Sequence, residues 1–504
     1  MHSTSNRTLD TLLSNRAICI ASLLLSLWLI AIDPVINTDA IIYLRTADAF
    51  LREGFVASFA LFDRPLLPIA MAIIHKFSGL SLEYSGQLLI SLIYMLLCLS
   101  FVTVIKQLGG NQRVQLFALL LILCHPIINN YRSSIMRDPG FWAFSLLSLM
   151  ELLRYAHQQK FKHQLRWLIY TTVAILFRFE AALFLTLAPF GLLLSMHQRI
   201  SFRLKTIASL LLPAFILLIL SLGVLMLWFD LSLGKLFPHI ALYADKLIEF
   251  QQHLAEVSIT TAEALLRHSA QEDAAYAVIF GLIGIFILNL LRALMLPFAM
   301  LVVAGWWTSI LTPIKRSDNR LILTYIAISV AYLLTFTLAN RFMLERYCTL
   351  LVILLLIYVP FILDHFWQHT GTNKKTLIRG LIAGLLAIIA IDSIHNTDYK
   401  KAYIVTASSW VQNNTPENAT VLANDKHLAY FSKRKVDWAI RQNQSLEKIL
   451  SSGVWRQNQY LLIKTKKKNY KDIAELLPYP QLKLERFISG KDRGGVVVLR
   501  NSIY

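Results

Sequence analysis

The feature that most restricts this chain is its series of apolar runs. Stretches of 16 or more apolar-rich residues recur along the first 395 of its 504 positions. Segments of that length can cross a bilayer as helices, which satisfy all their backbone polar groups internally. Only 16% of residues are charged and mean hydropathy is +0.54, whereas a soluble domain carries about a quarter charged residues. The chain therefore reads as a polytopic α-helical membrane protein. Its first apolar run resembles a signal sequence, but the many later runs make it a first anchor.

The formal net charge of +19 does not point to nucleic acid. Much of the excess lies in short loops between apolar runs, where it sets orientation, and no nucleic-acid motif accompanies it. The basic loops hold Arg7/Arg16, Lys106/Arg113, Arg154/Lys160/Lys162/Arg166, Arg199/Arg203/Lys205, Lys315/Arg316/Arg320 and Lys374/Lys375/Arg379. By the positive-inside rule these are cytoplasmic. The four cysteines, Cys19, Cys98, Cys124 and Cys348, lie in or beside apolar runs without metal-like spacing. A disulfide framework is not expected.

Spans are expected near 17–32, 83–105, 114–129, 140–156, 166–177, 181–197, 206–229, 284–312, 321–339, 347–366 and 377–394, eleven in all. An odd number places the N-terminus in the cytoplasm and the C-terminal region outside. Two places stay open. Residues 166–197 barely suffice for two crossings, and 276–312 fits either one tilted span with an interfacial segment or two spans. The transmembrane module then covers 1–395 and a polar extracytoplasmic domain 396–504. Outer loops fall at about 33–82, with amphipathic stretches that suit interfacial helices, and at about 230–276. The C-terminal domain has strand-like runs at 421–424, 460–465 and 496–500 and a helix-like piece at 402–413, so it reads as a small α/β unit.

Ionisable residues at span ends are costly and mark cavities or partners. On the outer side they cluster: Asp39 and Arg64; Arg132, Arg137 and Asp138; Arg178 and Glu180; then Arg341, Glu345, Arg346 and Tyr347. Carboxylates can orient or deprotonate a hydroxyl. Arginines offer planar donor forks suited to phosphate oxygens. Together they suit transfer of a group from a lipid phosphate to an acceptor; the competing reading is interfacial anchors and structural ion pairs. Near Asp39, Asp33 reads as a helix-end residue before Pro34 and Asp48 as solvated. His125 before Pro126 reads as a helix-end polar residue and Lys466–Lys468 as a solvated face.

The segments "NTDAIIYLRTADAF" and "FDRPLLPIAMA" resemble the first outer loop of GT-C membrane glycosyltransferases of the protein O-mannosyltransferase and lipid A aminoarabinose transferase type. "RDPGFWAFSLLSLMELLRY", "LFRFEAALFLTLAP" and "RYCTLLVILLLIYVP" are similar to later landmarks of bacterial members, and "SSWVQNNTPENATVLANDKHLAYFSKR" to the start of their outer domain. The resemblance implies a GT-C fold and an inverting enzyme that moves a sugar from a polyprenyl-phosphate donor to a glycan, lipid or protein acceptor. It would do so at the outer face of the cytoplasmic membrane. It implies catalytic roles for Asp39 and Asp138, and substrate binding by Arg64, Arg137, Arg178, Glu180, Arg341, Arg346 and Tyr347. Two departures stand out. Ala40 occupies a place where relatives often have a second acid, and Arg64-Pro65-Leu66 replaces a Pro-Pro-Leu segment. No metal ligands are expected by residue type; a divalent-metal requirement is left open. A polytopic transporter or lipid-sugar flippase is the alternative, expected to show internal repeats and mid-membrane charges.

Overall fold

The computed structural model describes residues 9–33, 35–196, 198–229, 238–265, 268–308, 310–311, 313–369, 374–394, 402–436, 438, 444–466, 479–490 and 494–503. The expected boundary at 395/396, the opening of the 230–276 segment, Arg7, and Lys467 and Lys468 lie outside the described residues. Two compact units emerge: Met1–Leu29 with Thr46–His395, and Ile30–Arg45 with Asn396–Tyr504.

The first unit is helical, and each expected span falls largely on helix among the described residues, several of them in more than one piece. Six described helices are long and apolar enough to cross a membrane: Asn15–Ile32, Leu82–Gln107, Ile200–Leu217, Gln271–Leu294, Arg316–Asn340 and Lys375–Ile394. Glu345–Leu356 and Val359–His369 make a seventh if taken together, bent by 42°. Pro360 explains the bend, since it cannot donate the ladder hydrogen bond that would continue the preceding helix. The 276–312 stretch breaks at Met295, whose φ is 65°, between Ala274–Leu294 and Leu296–Trp307. Pro297 lacks the N–H that would bond back to the Ala293 carbonyl, so the ladder cannot run unbroken through Met295. Residues 179–195 form a chain of short helical pieces rather than one helix. Among the described residues, length and apolarity alone thus identify fewer crossings than eleven.

Polar caps start the helices where the apolar runs begin. Ser81 Oγ accepts from Tyr84 N ahead of Leu82–Gln107, and Asn111 Oδ1 accepts from Arg113 N and Val114 N ahead of Gln112–Cys124. The central helix is Asp138–Gln158, buried on nearly all sides and packed on Phe161–Phe177 and Leu82–Gln107. One buried hydroxyl cluster ties three helices together: Ser148 Oγ lies 2.7 Å from Thr171 Oγ1 and 2.9 Å from the Tyr325 hydroxyl.

In the second unit five strands form one sheet in the order β2-β1-β3-β5-β4. They are β1 (Thr420–Ala423), β2 (Lys435–Val436), β3 (Tyr460–Thr465), β4 (Leu482–Ser489) and β5 (Gly495–Asn501). The first three are parallel, and β5 and β4 continue antiparallel. Helix Ala402–Asn414 and the short helix Lys426–Ser432 cover one face through Ile404, Ala407, Val411, Leu428 and Ala429, packed on Val421, Leu462, Val496 and Val498. Helix Thr38–Glu53 begins within this unit, and the Arg45 guanidinium sits 4.1 Å from the Trp438 ring centroid.

Candidate functional site

The charged cluster of the first unit is assembled by close helix packing. Asp138 opens helix Asp138–Gln158, where the helix dipole favours a carboxylate. Arg178 follows the last residue of Phe161–Phe177 in extended conformation, which ends that helix and turns the side chain toward Asp138. The approach depends on Gly140: a Cβ there would lie 2.5 Å from the Phe177 ring. Arg137 adds a second tie, donating from Nη1 to the Phe177 carbonyl at 3.3 Å.

Arg178 is therefore gripped rather than open. Its Nη1 donates to Asp138 Oδ1 at 2.5 Å, its Nη2 to Glu180 Oε1 at 2.6 Å and its Nε to Glu180 Oε2 at 3.4 Å. The three side chains are only 14%, 10% and 16% exposed. With most of its donor fork spent on two carboxylates, Arg178 acts first as the clamp that holds Asp138 and Glu180 in place.

Tyr347 lines the same cluster. Its ring centroid lies 5.1 Å from the Arg178 guanidinium and 5.0 Å from that of Arg346, whose Nη2 also donates to the Tyr347 hydroxyl at 3.1 Å. Glu345, Arg346 and Tyr347 form the first turn of helix Glu345–Leu356.

Two further arginines share one aromatic ring. Arg137 and Arg64 lie 4.9 and 5.9 Å from the centroid of Phe62. Arg64 also reaches Asp63 Oδ1 at 3.4 Å. Burial, and after it the charge of Arg137, lowers the Arg64 guanidinium from its usual value, while Asp63 and Glu180 act the other way. Two guanidinium groups held on one ring repel each other, and an anion between them relieves that repulsion.

Not every expected residue joins. Arg341 is exposed at the C-terminus of Arg316–Asn340, with φ 58°, and makes no ion pair among the described residues. Arg132 is fully buried and held by neutral groups: Asn129 Oδ1 at 3.0 Å, Ser22 Oγ at 3.0 Å and Ser26 Oγ at 3.2 Å, with the Tyr94 ring 4.5 Å away. It is a staple between helices. Asp48 pairs with Arg52 at 3.0 Å on an exposed helix face. His125 marks the junction of Gln112–Cys124 and Pro126–Asn129.

Asp39 lies in the second unit, in the first turn of Thr38–Glu53. Among the described residues no group of three or more His, Cys, Asp or Glu side chains is placed to hold a metal ion.

Sequence reasoning missed Phe62, the ring beneath the paired arginines, and Tyr332. The Tyr332 hydroxyl is buried without a hydrogen-bond partner among the described residues. Arg178, Glu180 and Asp138 lie within its electrostatic reach. Nothing in an apolar stretch such as "SVAYLLTF" marks that tyrosine as facing charge; only the fold does.

No family model matches the chain, and no curated protein matches it. Among solved structures it is similar to ArnT from Cupriavidus metallidurans in the apo state, at 14% identity and TM-score 0.38, covering 93% of this chain and 94% of that one. It is similar to the same protein bound to undecaprenyl phosphate, at 13% identity and TM-score 0.35, covering 86% and 87%. A third is arabinofuranosyltransferase AftD from Mycobacteria, at 12% identity and TM-score 0.49, covering 97% of this chain and 40% of that one. At such identities and TM-scores a functional reading has to rest on the side chains.

Proposed function

We propose that the chain is a membrane glycosyltransferase of GT-C type that moves a sugar from a polyprenyl-phosphate donor to an acceptor at the outer face of the cytoplasmic membrane. The observation that carries this reading is the Arg64–Arg137 pair stacked on Phe62, beside carboxylates that Arg178 holds in a fixed arrangement. Paired guanidinium groups suit a phosphate, both when it is bound as an ester and when it leaves as an anion.

Roles follow residue by residue. Asp39 takes the proton from the acceptor as a bond forms between the acceptor atom and the anomeric carbon. The bond from that carbon to the phosphate oxygen breaks on the opposite face, inverting the centre, and the electron pair stays with the phosphate. Arg64 and Arg137 take the phosphate charge. Asp138 and Glu180, fixed by Arg178, orient sugar hydroxyls, and Tyr347 with Arg346 lines the site. The sugar-bearing lipid lies in the membrane.

The test is binding of undecaprenyl phosphate, the lipid carried by one of the similar structures, to purified protein in detergent. Each of Arg64→Ala and Arg137→Ala removes a charge-assisted contact and is expected to weaken binding about tenfold or more. Wild-type affinity in both variants would remove the basis of the phosphate assignment.

A further inference from the structure

The second unit contains a hydrogen-bonded relay that ends on the backbone just before Asp39. Asp425, two residues past β1 and capping helix Lys426–Ser432, accepts from the ring Nδ1 of His427 at 3.1 Å and from Lys464 Nζ at 3.1 Å. Its Oδ1 also accepts from the His427 backbone N–H at 2.9 Å. Burial opposes the carboxylate's charge, yet the His427 hydrogen bond and the Lys464 ammonium outweigh it and hold Asp425 well below the usual carboxylate range. Asn424 beside it locks the same corner, accepting from Lys464 N at 2.7 Å and donating to Lys464 O at 2.9 Å. The corner is rigid because the end of β1 is tied to the end of β3.

From that corner the imidazole reaches out. His427 is 3% exposed, and its Nε2 faces the carbonyl oxygen of Ile36 at 3.0 Å. Both ring nitrogens thus face acceptors, a carboxylate on one side and a carbonyl on the other, and the carboxylate fixes the ring's orientation. Ile36 is itself 3% exposed, and the chain enters helix Thr38–Glu53 two residues later. Asp39 sits in that first turn, where Ala40 N donates to Asn37 O at 3.1 Å. Further along the helix, Arg45 on Trp438 makes a second anchor to the same unit.

We propose that His427 is a positioning residue: braced by Asp425, it fixes the Ile36 carbonyl and thereby the helix start that presents Asp39. This rests on the role given to Asp39 above, and it assigns the C-terminal domain a task, that of holding the reactive carboxylate in register. A residue that merely fills the domain core would show its effect in the sheet instead.

The test is hydrogen exchange on the full-length protein in detergent, with peptides covering 35–45 and the strands β3 and β5. Gln places its amide N–H₂ near the position of the imidazole Nε2, whereas Asn reaches only toward Nδ1. In His427→Asn, amides 37–41 are expected to exchange about tenfold faster, the loss of one hydrogen bond's local protection, while β3 and β5 keep wild-type rates. His427→Gln is expected to restore protection. Wild-type protection in His427→Asn, or equal loss in both variants, overturns the proposal. So does lost protection in β3 and β5, which would make His427 a core residue only. With a donor sugar on undecaprenyl phosphate, His427→Asn should lower kcat with KM unchanged. The exchange result stands or falls regardless of whether Asp39 is the base; full turnover in Asp39→Asn alongside the expected exchange pattern would refute the functional reading alone.

Discussion

Arg178→Gln removes the one positive charge that two buried carboxylates share. The substitution leaves Asp138 and Glu180, 10% and 16% exposed, facing each other without a cation between them. At such burial solvent screens the two carboxylates only weakly, and Arg137 and Arg64, the cations within electrostatic reach of Glu180, offset part of the lost charge. Breaking a buried ion pair by removing one partner costs about 3–5 kcal/mol. Removing all three charges together in Arg178→Met/Asp138→Asn/Glu180→Gln should recover most of that loss, because no charge is then left unpaired. Equilibrium unfolding in mixed micelles, titrated with a denaturing detergent, reads both variants against wild type. The clamp is refuted if Arg178→Gln costs less than about 1 kcal/mol, the level of an exposed pair. It is refuted equally if the triple variant is as unstable as the single one.

Two other outcomes follow from the same geometry. Gly140→Val should force the Phe177 ring away and break the Arg178–Asp138 contact, lowering stability by about 1–3 kcal/mol through overpacking; an unchanged unfolding midpoint would show that the two helices are not so tightly apposed. Asp425 has a depressed folded-state pKa, so its stabilising contribution is complete above the unfolded value of about 4 and is lost as pH falls from there through the folded value. Acid unfolding of the C-terminal unit, followed by hydrogen exchange in β1 and β3, should therefore be shallower below about pH 4 in Asp425→Asn than in wild type.

Much of the architecture is legible in the chain because hydropathy dictates it. The apolar runs fall on helices, and strand-like pieces at 421–424, 460–465 and 496–500 correspond to β1, β3 and β5. Strand β5 is buried along most of its length and β3 through its centre, so they read as continuous apolar runs, while β1 alternates buried and half-buried residues. Strand β4, "LKLERFIS", escapes such a reading because it is an edge strand with charges on its open side. The two residues of β2 are too few for any periodicity. Breaks at Met295 and near Tyr358 are hidden for another reason: apolarity continues through them, and only Pro297 and Pro360 mark the change.

At the site, chemistry by residue type was visible and pairing was not. Asp138, Arg178 and Glu180 are recognisable as costly charges at span ends, and the fold brings them together. That Arg178 spends its donors on carboxylates, leaving Arg64 and Arg137 as the paired cations, depends on Gly140 and Phe62, which carry no charge signal. Arg341 looks equivalent to Arg346 in sequence, yet it is itself the left-handed residue that ends helix Arg316–Asn340 and is exposed there.

The central claim is that this chain transfers sugar with Asp39 as its base. Purified protein in vesicles, supplied with undecaprenyl phosphate carrying a radiolabelled sugar and with a cell-envelope acceptor fraction, measures it directly. The account predicts labelled acceptor and released undecaprenyl phosphate for wild type across at least one donor of a sugar panel, and neither for Asp39→Asn at equal expression and folding. Undiminished transfer by Asp39→Asn would contradict it.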